Sequence, residues 1–246
     1  MRRLRFLSLL VGIGLSAFGA ELPSGESLMQ KATDASGTKE ALAKAKSIVM
    51  TGTVSIEGRN IIGPVSVWQE AGKSYTSIEF PGIGKVEEGF DGNIVWEMNP
   101  MQGARIKTGE ERAAAVRSGR LNLIASWKED YKSATTVGEE DVNGKPAWKV
   151  ELVPNEGKRE TFYMDKTTGL PTKIAQSLVT PMGEIAIEMI LTDYREVDGI
   201  KTPFTMTQNA VGQVMAMKFT KISYVTPIPP DQFELPAQVK ALASKK

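Results

Sequence analysis

The longest regular pattern in the chain lies within residues 184–208, where apolar and mostly polar positions alternate on either side of an Asp-Gly pair. Ile185, Ile187 and Met189 follow the period of two that is typical of a β-strand with one buried face. The Asp198-Gly199 pair accepts the positive φ angles of a type I′ turn, so the two runs are predicted to form a hairpin. Strands of about a dozen residues are long and favour a large, twisted antiparallel sheet.

Two segments carry a helical pattern instead. Residues 27–45 are interrupted at Gly37, which predicts two short helices, the second capped by Thr38. Residues 108–127 open with a capping box and are predicted to form a second helical piece, split at Gly119. Elsewhere, turn signals recur about every ten residues, which is the spacing of a meandering sheet. We therefore expect about eleven or twelve strands.

The predicted sheet is larger than the helices that could cover it. About eleven strands, spaced by roughly 4.8 Å and about 25 to 30 Å long, present a face of about 1,400 Å². The helical segments cover about 600 Å². Such a sheet must either pack on itself as a sandwich or curl into an incomplete barrel whose mouth the helices close. The helix-sheet-helix-sheet order favours the second, a mainly β fold with a curved antiparallel sheet, a half-closed barrel and a helical lid.

The concave side of such a barrel would be apolar and could hold an acyl chain or another elongated apolar ligand. Eleven methionines agree with this hypothesis, because the thioether side chain adapts to varied apolar shapes. Ordinary core packing explains the same side chains equally well. The residues expected to line the cavity are Ile78, Phe80, Trp96, Met98, Trp148, Phe162, Met189 and Met217, with Trp127 on the lid.

The N-terminus reads as a secretory signal peptide. Three arginines precede an apolar run at residues 6–15, and small residues favour cleavage after Gly19 or Ala20. The run is too short to span a bilayer, and a retained amphipathic anchor is the alternative. Residues 1–20 are therefore predicted to be removed and residues 21–246 to form a single domain. Losing three of 30 basic residues leaves 27 against 29 acidic ones, a balance that gives no reason to expect nucleic-acid binding.

The composition excludes several kinds of chemistry. The chain has no cysteine and no histidine, which removes disulfide frameworks, thiolate zinc sites and histidine-based triads. Residues 36–39 match S-x-x-K and residues 107–109 match K-T-G of penicillin-recognising enzymes, but the S-D-N element is missing, and a turn and a capping box explain both. Glu87 and Glu88 point to opposite faces of a strand and cannot share a cleft. We expect no catalytic residues, no metal and no cofactor.

Four sheet and turn motifs carry a family resemblance. They are YMDKTTGLP at residues 163–171, DYREVDGIKTPF at residues 193–204, GFDG at residues 89–92 followed by Trp96, and FELP at residues 233–236. Together they resemble the outer-membrane lipoprotein-sorting proteins of the LolA/LolB-like superfamily, over nearly the whole chain after the leader.

The resemblance implies a periplasmic half-barrel with a helical lid over an apolar cavity that accepts lipoprotein acyl chains. The LolB type is disfavoured, because that branch is itself a lipoprotein and this chain has no cysteine to acylate. We therefore expect a periplasmic, monomeric, non-catalytic carrier of lipoprotein acyl chains or other lipids. The alternative is an envelope stress sensor or adaptor that uses the same fold to contact a partner protein.

Overall fold

The computed structural model describes residues 21–180 and 183–244, and its strands form one antiparallel sheet of thirteen strands. The expected leader at residues 1–20 lies outside the described residues. The strands are β1 (Ser47–Ile56), β2 (Ile61–Glu70), β3 (Lys73–Phe80), β4 (Gly84–Phe90), β5 (Val95–Asn99), β6 (Gly103–Ile106), β7 (Tyr131–Val142), β8 (Lys145–Pro154), β9 (Glu160–Asp165), β10 (Pro171–Thr180), β11 (Gly183–Val197), β12 (Ile200–Ala210) and β13 (Gln213–Ser223). The helices are α1 (Gly25–Ser36), α2 (Lys39–Lys44), α3 (Gly109–Ser118), α4 (Trp127–Asp130) and α5 (Ala237–Ala243), with a 3-10 turn at Pro230–Phe233.

The strand order explains why helices cross this sheet. It runs β6-β5-β4-β3-β2-β1-β13-β12-β11-β10-β9-β8-β7, so the pairing of β1 with β13 leaves β6 and β7 at opposite edges. Residues 107–130, which include α3 and α4, connect those two edges and must pass over one face. β6 and β7 do not pair within the described part of the chain, so the barrel is open. The predicted curved half-barrel with helices is confirmed, with one or two strands more than expected.

The predicted hairpin is the longest in the sheet. β11 has 15 residues and β12 has 11, and they pair antiparallel across the turn. Asp198 and Gly199 have φ angles of 51° and 80°, both positive as a type I′ turn requires. Asn143 and Gly144, between β7 and β8, repeat this geometry with φ angles of 53° and 79°.

Of the two predicted caps, one is confirmed and one is wrong. The Thr38 hydroxyl accepts a hydrogen bond of 3.1 Å from the Ala41 N–H at the start of α2. Thr108 precedes α3 but makes no side-chain cap bond, and the capping box does not form. The physical reason is that Glu111 accepts hydrogen bonds of 2.7 and 2.5 Å from the Arg105 guanidinium instead. A charge-assisted pair outcompetes a bond to a backbone N–H.

Two buried clusters lie where helices α1 to α4 meet the sheet, and we call that face the inner face and the other the outer face. The first cluster packs α2 against the middle of the sheet and includes Ile48, Met50, Val54, Val65, Phe204, Met217 and Phe219. The second packs α1 and α4 against β7 to β9 and includes Leu28, Met29, Trp127, Val150, Leu152 and Phe162. Burial of these side chains holds the helices on the inner face.

The C-terminal segment covers part of the outer face. Residues 237–243 form α5, with Val239 fully buried. The helix contacts β6. Phe233 is buried, and the Lys73 Nζ lies 5.7 Å from the centre of its ring. The outer face therefore has its own apolar cover beside β3 and β6.

Candidate binding cleft

Seven of the nine side chains expected to line a cavity belong to the inner-face layer. Ile78 and Phe80 are half-buried and pack against the first cluster, which contains Met217. Phe162 and Trp127 are buried in the second cluster beneath α1, and Trp148 is half-buried against it. Met189 is half-buried and faces the same side, because it pairs with Ile174, which pairs with Phe162.

The other two expected residues, Trp96 and Met98, lie on the outer face. Ile78 pairs with Val86 on β4, whereas Trp96 pairs with Gly89, three residues further along that strand and therefore on the opposite side. A Cβ built on Gly89 would lie 2.6 Å from the Trp96 indole, so glycine makes room for this ring. The strand register therefore corrects the expectation that these two residues line the inner cavity.

A cleft of about 800 Å³ opens on the inner face at the end of the sheet where β1, β12 and β13 turn. Its walls include Ile185 and Ile187 of β11 and Ala210 of β12, with Gln208 and Gln213 beside them. Pairing of Ile187 with Ala210 puts these two side chains next to each other on one face. The cleft therefore has an apolar floor, a small residue that leaves space, and amide groups at its border.

The floor of this cleft continues into the protein along β11. Ile185, Ile187, Met189 and Leu191 follow one another on the inner face, over about 20 Å of strand. The first three are half-buried and Leu191 is buried, so the strip runs from an open end to the packed core. An elongated apolar group could lie along this strip and stop against the core.

Beside α3, the inner face carries charged side chains that neutralise one another. Arg105 contacts Glu97 at 2.7 Å and Glu111 at 2.5 Å, and Lys107 contacts Glu88 at 2.7 Å and Glu97 at 3.4 Å. Burial opposes ionisation of Glu97, but the charges of Lys107 and Arg105 hold its pKa below the ordinary value. These contacts fix α3 to the sheet.

Both halves of the serine-enzyme match make local contacts in the structure. Lys107 of the K-T-G match is engaged by two glutamates, and the Ser36 hydroxyl donates to the Ala32 carbonyl at 2.8 Å. Within the residues that the structure describes, no group of three or more acidic side chains is placed to hold a metal ion. Across those same residues, no helix combines the length and apolar character needed to cross a membrane.

A second charged group, missed in the sequence, ties α3 to β9. Arg117 donates to Glu160 from Nε at 3.0 Å and from Nη2 at 2.6 Å, and to the Glu156 carbonyl from Nη1 at 2.7 Å. The Tyr131 hydroxyl donates to the other Glu160 oxygen at 2.5 Å. Burial, followed by the charge of Glu160, raises the pKa of Tyr131. The available signal was that Glu160 lies two residues before Phe162 and so shares its inward face.

Solved structures of other proteins share this architecture. A DUF1329 family protein from Desulfovibrio piger matches with a TM-score of 0.58 and 15% identity, over 88% of this chain and 100% of that one. A LolA superfamily protein from Nitrosomonas europaea matches with a TM-score of 0.56 and 13% identity, over 87% of this chain and 99% of that one. The chain has a LolA-like fold. The resemblance read from the sequence motifs is thereby confirmed for the fold.

Two further comparisons concern the sequence of the chain. A family model described as an uncharacterized protein matches residues 120–237, from the end of α3 to the start of α5. A search of curated proteins finds no match. At identities this low, structural likeness establishes the fold, and the function has to be argued from the cleft.

Proposed function

We propose that this LolA-like protein is a non-catalytic binding protein of the periplasm that holds an acyl chain of a lipoprotein or another lipid in the inner-face cleft. The observation that carries the proposal is the apolar strip of β11, which leads from an open cleft to the buried Leu191. The volume of the cleft, about 800 Å³, falls within the range of about 300–1,000 Å³ typical of small-molecule sites.

The chemistry of the strip favours a flexible apolar ligand. Each methylene buried there contributes about 0.8 kcal/mol, so a long chain gains affinity without any charged contact. Gln208 and Gln213 at the border offer hydrogen bonds to an ester or amide group at the end of such a chain. A folded polar substrate would leave Ile185 and Ile187 without apolar partners.

We propose that the inner-face residues expected from the sequence line this site when the cleft is enlarged. Met189 extends the floor of the cleft, whereas Phe162 and Trp127 are covered by α1. Ile78, Phe80, Trp148 and Met217 complete the list of side chains that would line an enlarged cavity if the helices lifted. A long ligand would then contact these side chains, which the helices otherwise cover.

Acyl binding is tested with a fluorescent fatty acid titrated against purified protein and two matched variants. Ile187→Asp places a charge on the strip, and Ala186→Asp places the same charge on the exposed outer face of the same strand. Burying an isoleucine contributes about 1.5–3 kcal/mol, so Ile187→Asp should weaken binding by about ten- to a hundred-fold. Ala186→Asp should bind as the wild type does.

Equal affinities of the two variants would contradict the proposed site. Circular dichroism and thermal melting establish that both variants are folded. A protein that takes up no fatty acid, but forms a stable complex with an envelope protein, would support the adaptor function instead of the carrier.

A further inference from the structure

Large apolar side chains on the surface collect at one end of the sheet. Seven are exposed among the described residues; three of them lie in hairpin turns of that end, and a fourth lies on β2 next to one of these turns. Met101 is 90% exposed, Val211 82%, Ile62 64% and Ile83 46%. Scattered apolar residues are normal on protein surfaces, but a shared location at the ends of separate hairpins requires a reason.

We call the turns at residues 57–60, 81–83, 100–102 and 211–212, with the adjoining Ile62, the rim. Pairing of Ile56 with Met215 puts the first turn beside the last. A Cβ on Gly63 would lie 3.1 Å from Pro81 Cδ, so the β1–β2 hairpin adjoins the β3–β4 turn. A Cβ on Gly84 would lie 2.6 Å from Pro100 Cγ, which brings in the β5–β6 turn. The rim is therefore continuous along the sheet.

The cleft opens at this rim. Val211 and Gly212 belong to its border, together with residues 57–59 of the neighbouring turn. The apolar points extend from Val211 to Met101 across about seven strands, or about 30 Å. A folded protein partner is usually bound by one contiguous patch with a desolvated centre, whereas a bilayer accepts separate apolar side chains between its headgroups.

We propose that the rim docks onto a lipid bilayer surface, with Met101, Ile83, Ile62 and Val211 inserted at the level of the headgroups. The proposal rests on the proposed function and adds where the ligand comes from. A docked rim places the mouth of the cleft against the acyl chains, so a chain can pass between bilayer and cleft without crossing water.

The positive and negative charges of the rim balance each other, so charge contributes little to the proposed docking. Glu57 and Arg59 are both exposed on the first turn, and Glu79 and Lys85 are both exposed beside the second. Attraction to anionic lipid would need an excess of cations. Docking should therefore depend on apolar insertion, and affinity should change by less than about two-fold between low and high salt.

The test is sedimentation of purified protein with phosphatidylethanolamine vesicles containing phosphatidylglycerol. The double variant Met101→Asp, Ile83→Asp changes two rim residues that do not border the cleft. Val225→Asp is the matched control, because Val225 is 71% exposed but follows β13 at the opposite end of the sheet. We expect vesicle binding to weaken at least about ten-fold in the double variant and to stay within about two-fold in the control.

Uptake of a soluble fluorescent fatty acid is measured on the same proteins. It should be unchanged in the double variant, which separates docking from ligand binding. Equal vesicle binding by the wild type and the double variant would overturn the rim proposal, as would an equal loss in the control. A rim that binds an envelope protein but no vesicles would also overturn it. Rim-dependent vesicle binding without fatty-acid uptake would support docking and contradict the cleft.

Discussion

The buried ion pair that joins α3 to β9 leads to a quantitative prediction for the stability of the protein. Replacing Arg117 with Met keeps the length of the side chain and removes its charge, leaving Glu160 buried with the Tyr131 hydroxyl as its remaining side-chain donor. Both members of the ion pair have side chains only 7% exposed, so water cannot replace the lost partner. Removing one member of such a pair costs about 3–5 kcal/mol.

The control lies next to Glu160 in the sequence. Arg159 pairs with Glu151 at 3.1 Å, but its side chain is 69% exposed, so Arg159→Met should cost at most about 1 kcal/mol. Replacing the whole group, with Arg117→Met, Glu160→Met and Tyr131→Phe together, should recover most of the loss, since no buried charge or hydroxyl remains unpaired.

Urea unfolding followed by tryptophan fluorescence measures these differences, with the slope of the transition used to verify that all variants unfold to a similar extent. A free-energy loss in Arg117→Met no larger than that in Arg159→Met would refute the view that this buried pair fixes α3. So would a triple variant that is less stable than Arg117→Met alone.

Three further predictions concern a buried ring of the inner face, the packing of Trp96 on the outer face and a charged residue of the inner face. Phe162→Ala should lower the free energy of unfolding by about 3–5 kcal/mol in urea titrations, because the ring is fully buried beneath α1, and a loss below about 1 kcal/mol would place it outside the core. Gly89→Ala should cost about 1–3 kcal/mol, because its methyl group would overlap the Trp96 indole, and a neutral result in thermal melting would contradict the observed packing. The pKa of Glu97 is lowered despite burial, so its ionised form stabilises the fold above the ordinary value of 4.5, and this stability is lost as the pH falls through the lower folded-state pKa. Glu97→Gln should therefore flatten the decline of stability as the pH falls below about 5, and an unchanged acid limb would contradict the role of Lys107 and Arg105.

Hairpins and helix breaks were predictable because they depend on local chemistry. Asp198-Gly199 is readable from residue types that tolerate positive φ, and Thr38 from its place before a short helical pattern. The half-barrel followed from an imbalance of areas between strands and helices. The structure adds the topological reason, since residues 107–130 must cross from β6 to β7.

The facing of individual strands was less predictable, and β5 shows why. Alternation reveals which residues share a face but does not say which face is inward. On β5 and β6, Glu97 and Arg105 point to the inner face and neutralise each other, while Trp96 points outward and is buried there beside the Tyr75 ring. A single sequence does not indicate that α5 covers the outer face beside β6, so alternation alone predicts that the apolar side of β5 faces inward.

Long-range ion pairs were equally hidden. Arg117 and Glu160 are separated by 43 positions, and both read as ordinary surface residues in their own segments. The cleft also depends on two hairpin turns and strand β11 meeting at one end of the sheet, which is a property of strand order and not of local pattern.

The binding of an acyl chain along β11 is tested most directly by photocrosslinking. A fatty acid with a diazirine at its methyl end is incubated with purified protein, irradiated, and the modified residues are located by peptide mass spectrometry. We predict labelling on the strip formed by Ile187, Met189 and Leu191 and on Ala210 beside it, with loss of labelling in Ile187→Asp and retention in Ala186→Asp. Labelling confined to the outer face, or labelling that persists in Ile187→Asp, would contradict the account.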